Sequence, residues 1–360
     1  LPHIDSPTVF AALLDDEKGG CFKIQPSGTF ESEQVYETDT NILSSTFTSK
    51  NGQAKLIDFM PISKDELFIQ KDHLIHRCLK VTSGRMDFKL EISPRAQYAH
   101  ETPKIVRDGN KFKIKFKKES FTLIVNIGKY VVKELTDKVV IRFVLSKKEE
   151  AHFDFIYGDK TTEEKEPCAF NETKEFWQNW IHGCLSEQCT FFGAYTSMIN
   201  RSLLALKLLT FRPTGAIAAA ATTSLPEAIG SGRNWDYRFT WIRDASFTLK
   251  AFFALGHIAE ADGFIRWLHG IYKKYGEKNL QIMYSLEGKA RLKERELFYL
   301  KGYKNSRPVR IGNSAYTQSQ WDIFGEIMDT ALRLSDYAGK IDEGLWPFFK
   351  RICNLAASNW

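Results

Sequence analysis

Residues 230–256 read GSGRNWDYRFTWIRDASFTLKAFFALG. Between Arg233 and Asp244 the chain sets two Trp, one Tyr, one Phe, three Arg and two Asp. It then runs without a break into an apolar helix that Gly256 closes as a C-cap would. Charges and rings crowded at the mouth of a core helix need a reason. Asp236 and Arg238 fit a capping and ion-pair cluster at the helix start, and Asp244 fits a first-turn acid stabilised by the helix dipole. A ligand pocket fits them equally well.

The same organisation continues on both sides. INRSLLALKLLTF (199–211) is a strongly apolar helix that Pro213 and Gly215 stop. AEADGFIRWLHGIYKKYG, SQWDIFGEIMDTALRLSDYAG and GLWPFFKRICNLAASNW repeat the helical spacing, and the first two of these end on Gly. Long loops, 212–239 and 276–316, separate the helices, and loops of that length in a compact domain are usually functional. Helices in sequence with long loops on alternate connections predict an antiparallel array wound into a ring, an α/α toroid; a stacked helical repeat has the same spacing.

Before residue 160 the period is two. Met86, Phe88, Leu90 and Ile92 alternate with polar neighbours, as do Phe112, Ile114 and Phe116, then Phe121, Leu123, Val125 and Ile127. That pattern predicts antiparallel strands with one buried face. Asn51-Gly52 between two such runs predicts a hairpin turn in which both residues take positive φ. KVVIRFVL (138–145) reads as a central strand covered on both faces. The expected architecture is therefore an N-terminal antiparallel β-sandwich over 1–160, a linker helix over 161–190 near Phe176 and Trp177, and helices with loops over 191–360.

Composition excludes several classes. Hydrophobic residues make up 43% and charged residues 26%, ordinary for a soluble globular chain, and no run approaches a membrane span. The net charge of +6 is dispersed; KFKIKFKK (111–118) looks like the solvated face of a strand, which argues against a nucleic-acid partner. Six Cys at scattered positions carry no CxxC or Cys/His ligand spacing, which argues against zinc and a disulfide scaffold and for a reducing, cytoplasmic compartment. The eight His are scattered and read as structural. GxSxG is absent, which disfavours acyl transfer, and no motif implies a cofactor or a metal.

The loops hold the chemistry. In 294–326, Arg307, Arg310, Asn313 and Gln318 surround Tyr303, Tyr316 and Trp321, the mixture of planar polar groups and rings that sugar binding uses. Trp267 and Trp321, in helical stripes, are expected in the core.

At this point the chain resembles glycoside hydrolase family 15, the glucoamylase and trehalase-like group. TGAIAAAATTSLPEAIGSGRNWDYRFTWIRDASFTLKAFFALGHIAEADGFIRWL (214–268) and RPVRIGNSAYTQSQWDIFGE (307–326) carry the resemblance in the second half. LPHIDSPTVFAALLD (1–15), YETDTNILSSTF (36–47) and LIDFMP (56–61) carry it in the first. The resemblance implies a β-sandwich followed by an (α/α)6 barrel, here partial, and exo-acting hydrolysis of α-glucosidic bonds with inversion. By matching positions it implies that Arg243 and Asp244 bond the hydroxyls of a terminal glucose, that Tyr237 lies against the sugar ring, and that Trp241 walls the pocket. Arg310 is a weaker carry-over.

Inversion needs a general acid and a general base about 6.5–9.5 Å apart. The resemblance places both beyond Trp360, so no catalytic carboxylate is expected within 1–360 and no turnover is expected of this chain. Glu343, beside Gly344-Leu345-Trp346, precedes the helix it would have to follow and is expected to be a helix-start acid. Leu345, Trp346, Phe348, Phe349 and Ile352 have no obvious later partner in the sequence, which favours part of a larger enzyme over the alternative, a non-catalytic carbohydrate-binding or scaffolding relative. The expected partner is an α-glucoside or oligosaccharide, with the aglycone undetermined.

Overall fold

A computed structural model describes residues 2–62, 73–158, 166–183, 193–276, 280–338 and 343–359. The chain divides into two compact units, Leu1–Trp180 and Ile181–Trp360.

The first unit is built on eleven antiparallel strands: β1 (Cys21–Pro26), β2 (Glu31–Tyr36), β3 (Leu43–Ser49), β4 (Gly52–Phe59), β5 (Leu74–Ser93), β6 (Lys104–Asp108), β7 (Lys111–Lys115), β8 (Ser120–Asn126), β9 (Tyr130–Leu135), β10 (Val139–Ser146) and β11 (Glu150–Tyr157). Their main path runs β2-β3-β4-β5-β11-β8-β7-β6. The 20-residue β5 organises it. Its first half pairs β4 and β11, and its second half pairs β1 and β10, which in turn carries β9.

The change of partners falls at Gly84, whose φ of 72° is open to glycine at no steric cost. Gly52 lies directly opposite it. A Cβ on Gly84 would stand 2.0 Å from the Asn51 carbonyl oxygen, and one on Gly52 would stand 2.2 Å from that of Ser83. The hairpin expected at Asn51-Gly52 is present, but only Gly52 of the two takes positive φ, and the turn lies one residue earlier. Lys50 and Asn51 link Ser49 to its partner Gly52, and Gly52 is required by the close approach of β5.

The period-two residues form one core. Met86, Phe88, Leu90, Ile92, Phe112, Ile114, Phe121, Leu123 and Val125 are all buried in a cluster with Ile141, Phe143, Phe153 and Phe155. The strands covered on both faces are β8 and much of β11. β10 alternates from Ile141 onward, with Arg142, Val144 and Ser146 exposed, so KVVIRFVL is interior by pairing but one-sided by burial. Helix α1 (Glu166–His182) closes the unit: Phe170 packs edge-on against Phe59 with centroids 5.9 Å apart, and Thr173 Oγ1 accepts the Ile62 N–H at 2.9 Å.

The second unit contains α2 (Thr196–Leu209), α3 (Ile242–Ala254), α4 (Ala259–Tyr275), α5 (Asp322–Ala338) and α6 (Trp346–Asn359). Helix α2 ends two residues earlier than its apolar pattern suggests, because Thr210–Phe211 turns back to pair with Ala216–Ile217. Gly215 (φ 83°) presses on α4 so closely that a Cβ would meet the Gly263 carbonyl at 2.4 Å. The long loops also carry short ladders, Thr240–Trp241 with Met283–Tyr284 and Arg295–Glu296 with Arg310–Ile311.

Ile242, Ala245, Leu249, Phe252 and Phe253 bury one face of α3, and Phe264, Ile265, Leu268 and Ile271 one face of α4. Two expectations are corrected here. Leu345, Phe348, Phe349 and Ile352 are buried, with Phe348 against Tyr272 at 4.9 Å, and only Trp346 of that group is exposed, at 55%. Trp321 is 45% exposed rather than core, because it precedes the first turn of α5 and lies outside the stripe; Trp267 is buried. Gly339, expected as a C-cap, lies outside the described residues. Among the described residues no helix is long and apolar enough to cross a membrane.

Candidate functional site

The quoted stretch folds as an irregular segment that ends in the strand Thr240–Trp241 and turns at once into α3. Asp236 is wholly buried and Arg238 is 3% exposed. Arg238 Nε donates to Asp236 Oδ1 and its Nη2 to Oδ2, both at 2.8 Å, a bidentate pair. Asp236 Oδ2 also accepts the Gly312 N–H at 3.1 Å, and the Asp236 carbonyl accepts Asn313 Nδ2 at 3.1 Å. The pair caps no helix: the N-cap of α3 is Trp241, with no side-chain cap bond. It fastens loop 219–239 to loop 292–313 instead.

Arg310 belongs to the same fastening. Thr223 Oγ1 and Ser224 Oγ donate to the Arg310 carbonyl at 2.7 and 2.8 Å. Its guanidinium donates through Nη1 to the Gly232 carbonyl at 2.7 Å and through Nη2 to Glu296 at 3.0 Å, with its carbon 4.5 Å from the Trp235 ring centroid. Nε lies 3.3 Å from Glu294 Oε1, inside ion-pair distance but too poorly aligned for a hydrogen bond. Most of this guanidinium is therefore committed to the protein.

Tyr237, Trp241, Arg243 and Asp244 come together at the mouth of α3. The Tyr237 and Trp241 rings stand 6.1 Å apart, edge to face, a favourable aromatic geometry. Tyr237 is partly exposed and Trp241 is buried. Arg243 Nη1 donates to Gln320 Oε1 and to Asp322 Oδ2, each at 2.8 Å, which ties α3 to the start of α5; the Asp322 hydrogen bond raises its pKa further.

Asp244 is solvent-exposed, yet its carboxyl is held above the ordinary range by loss of hydration, against a downward pull from Arg243. Both hold for a carboxyl that water reaches on one side while protein surrounds the others. Burial also raises the Tyr237 phenol, helped by the negative charges of Glu227 and Asp244. Across the ladder from Thr240, burial pushes the Tyr284 phenol up to about 12.

Among the described residues, nine buried side-chain polar atoms have no hydrogen-bond partner. Five of them are on Ser231, Asn234 and Arg310 in these two loops and on Thr240 and Trp241 in the strand that follows the first.

Sequence reasoning missed Gln320, Asp322, Glu294 and Glu296. Asp322 had a signal, an acid opening a helical pattern; the others are paired by tertiary contacts that no spacing reveals. Glu343, expected as a helix-start acid, is exposed in the turn before α6.

Residues 193–360 match the profile of glycosyl hydrolases family 15, and residues 1–180 match the trehalase-like N-terminal domain. Among curated relatives, a protein named trehalase from Thermoplasma volcanium is 34% identical over 98% of this chain and 56% of its own length. The trehalase of Thermoplasma acidophilum is 34% identical over 98% of this chain and 60% of its own. Trehalase 1 of Sulfolobus acidocaldarius is 31% identical over the whole of this chain and 60% of its own. The chain thus spans a little over half the length of these relatives. With both halves matched in order, the chain belongs to the family 15 glycosyl hydrolases that carry a trehalase-like N-terminal domain.

Proposed function

We propose that this chain carries the glucose-binding part of an inverting, exo-acting α-glucoside hydrolase of the trehalase or glucoamylase type. Its frame in this reading is an N-terminal β-sandwich (1–160), a linker helix (161–190) and the first helices of an (α/α)6 barrel (191–360). Tyr237 supplies a ring face, Trp241 a wall, and Arg243 and Asp244 charge-assisted hydrogen bonds to sugar hydroxyls. Arg310 acts from behind, holding Trp235 and the two loops in place.

The observation that carries the reading is Asp244. It is exposed, sits beside Arg243, and has its pKa raised by loss of hydration. A carboxylate kept in that state is useful when hydroxyl donors replace the missing water. The names of the relatives favour trehalose, two α-linked glucoses, as the substrate.

Calorimetric titration of trehalose, maltose and glucose into the protein tests this. Saturable binding that weakens about ten- to hundredfold in Asp244→Asn is expected, the value of one charge-assisted hydrogen bond. Unchanged affinity in that variant would remove Asp244 from the pocket.

A further inference from the structure

On the face of the first sheet opposite its core cluster, β5 and β11 bring together a second set of reactive side chains. His76 faces Asp154, Cys78 faces His152 and Lys80 faces Glu150 across the antiparallel ladder. The set grades from buried, at His76 and Asp154 beneath Phe59, to exposed, at Lys80 and Glu150. Donor atoms of Cys78, Glu150 and His152 all lie within 4.8 Å of one another.

The hydrogen bonds define which atoms face which. His76 Nδ1 lies 2.7 Å from Asp154 Oδ1, where a carboxylate can only accept, so Nδ1 carries the proton and Nε2 is the acceptor. His76 Nε2 lies 3.5 Å from His152 Nδ1, which is then the protonated nitrogen of its ring. His152 Nε2 in turn faces Glu150 Oε2 at 3.6 Å, within ion-pair reach. Lys80 engages the other carboxylate oxygen, Oε1.

The 3.6 Å separation admits a cation in place of a proton between the imidazole and the carboxylate. The nitrogen–oxygen edge of a zinc tetrahedron, from bonds of about 2.0–2.2 Å, is about 3.3–3.5 Å. Cys78 supplies a third, soft donor, and the His152–His76–Asp154 relay is the kind of outer support that orients a ligating imidazole.

We propose that Cys78, Glu150 and His152 bind a zinc-like divalent cation, with His76 and Asp154 as positioning residues and water in the fourth position. Binding forms the sulfur–metal bond as the thiol proton leaves to solvent, so affinity rises with pH. The ion joins β5 to β11 at the exposed end of the cluster. No ligand motif announces it in the sequence, because the donors come from two strands that only the sheet brings together.

Cobalt titration of the reduced, chelator-treated 360-residue chain tests the site. A thiolate-to-cobalt charge-transfer band with intense tetrahedral visible bands is expected, saturating at one ion per chain. Cys78→Ser should abolish the charge-transfer band and His152→Gln should weaken binding at least tenfold, while Cys21→Ser leaves both unchanged. His76→Phe should weaken binding about ten- to hundredfold. Should Cys78→Ser fail to fold, by circular dichroism, Glu150→Gln and His152→Gln decide by the same bands. Absence of a tetrahedral spectrum in the parent chain overturns the proposal, as does a charge-transfer band that survives in folded Cys78→Ser or an affinity untouched by His152→Gln.

Discussion

At the scale of single residues, the two aspartates of the quoted stretch do opposite work. Asp236 is buried and shares its charge with Arg238 and the Gly312 N–H, while its backbone carbonyl accepts from Asn313. Removing one partner of a buried ion pair strands the other, so Asp236→Ala is expected to lower unfolding free energy by about 3–5 kcal/mol, measured by urea denaturation. Asp244 is a liability to the fold. Its folded pKa lies above its unfolded value, so the folded state holds the proton more tightly. Stability from that residue is present below the ordinary carboxyl range and declines as pH rises through the raised value. Asp244→Asn is therefore expected to keep or raise the thermal midpoint at pH 7 while sugar affinity falls. A helix-dipole role would give the reverse, a lower midpoint with binding intact, and scanning calorimetry beside the sugar titration separates the two.

At the scale of elements, glycines decide where the chain can approach itself. The Thr210–Phe211 and Ala216–Ile217 hairpin lies on α4 because Gly215 has no side chain where it meets the Gly263 backbone. The pair is not symmetric. A Cβ on Gly215 adds a left-handed backbone strain of about 1–3 kcal/mol to a clash at 2.4 Å. A Cβ on Gly263 meets Gly215 Cα at 3.6 Å, an ordinary contact. Gly215→Ala should destabilise by more than that strain alone. Gly263→Ala should be neutral or stabilise by up to about 1 kcal/mol as a helix-interior replacement. Equal losses from the two variants, in thermal or urea unfolding, would refute this account. The Lys250 contact between α3 and α5, with Glu326 at 2.9 Å and Asp329 at 3.0 Å, is half-exposed, and Lys250→Met is expected to cost under about 1 kcal/mol.

At the scale of the whole molecule, two units with separate buried clusters predict two cooperative transitions. Residues 1–180 expressed alone should give a β-type circular dichroism spectrum and one sharp unfolding transition, since the cluster built around Phe88, Phe121, Phe153 and Phe155 lies wholly within them. A molten, gradually melting product would show that this core needs the second unit. The sequence by itself determined the succession of a period-two half and a period-3.6 half, and the core residues of β7, β8, β10 and the second half of β5, because burial against one face imposes a period that survives in the order of residues. It also placed Tyr237, Trp241, Arg243 and Asp244 on one short segment, where neighbours in the chain must be neighbours in space. Only the tertiary structure decided which charges are spoken for. Arg243 meets Gln320 and Asp322, Arg310 meets Glu294, Glu296 and Trp235, and Cys78 meets His152. Each pairing joins residues distant along the chain, and electrostatic and hydrogen-bond partners at that separation leave no periodic trace, since a single contact can form from any spacing the fold happens to close.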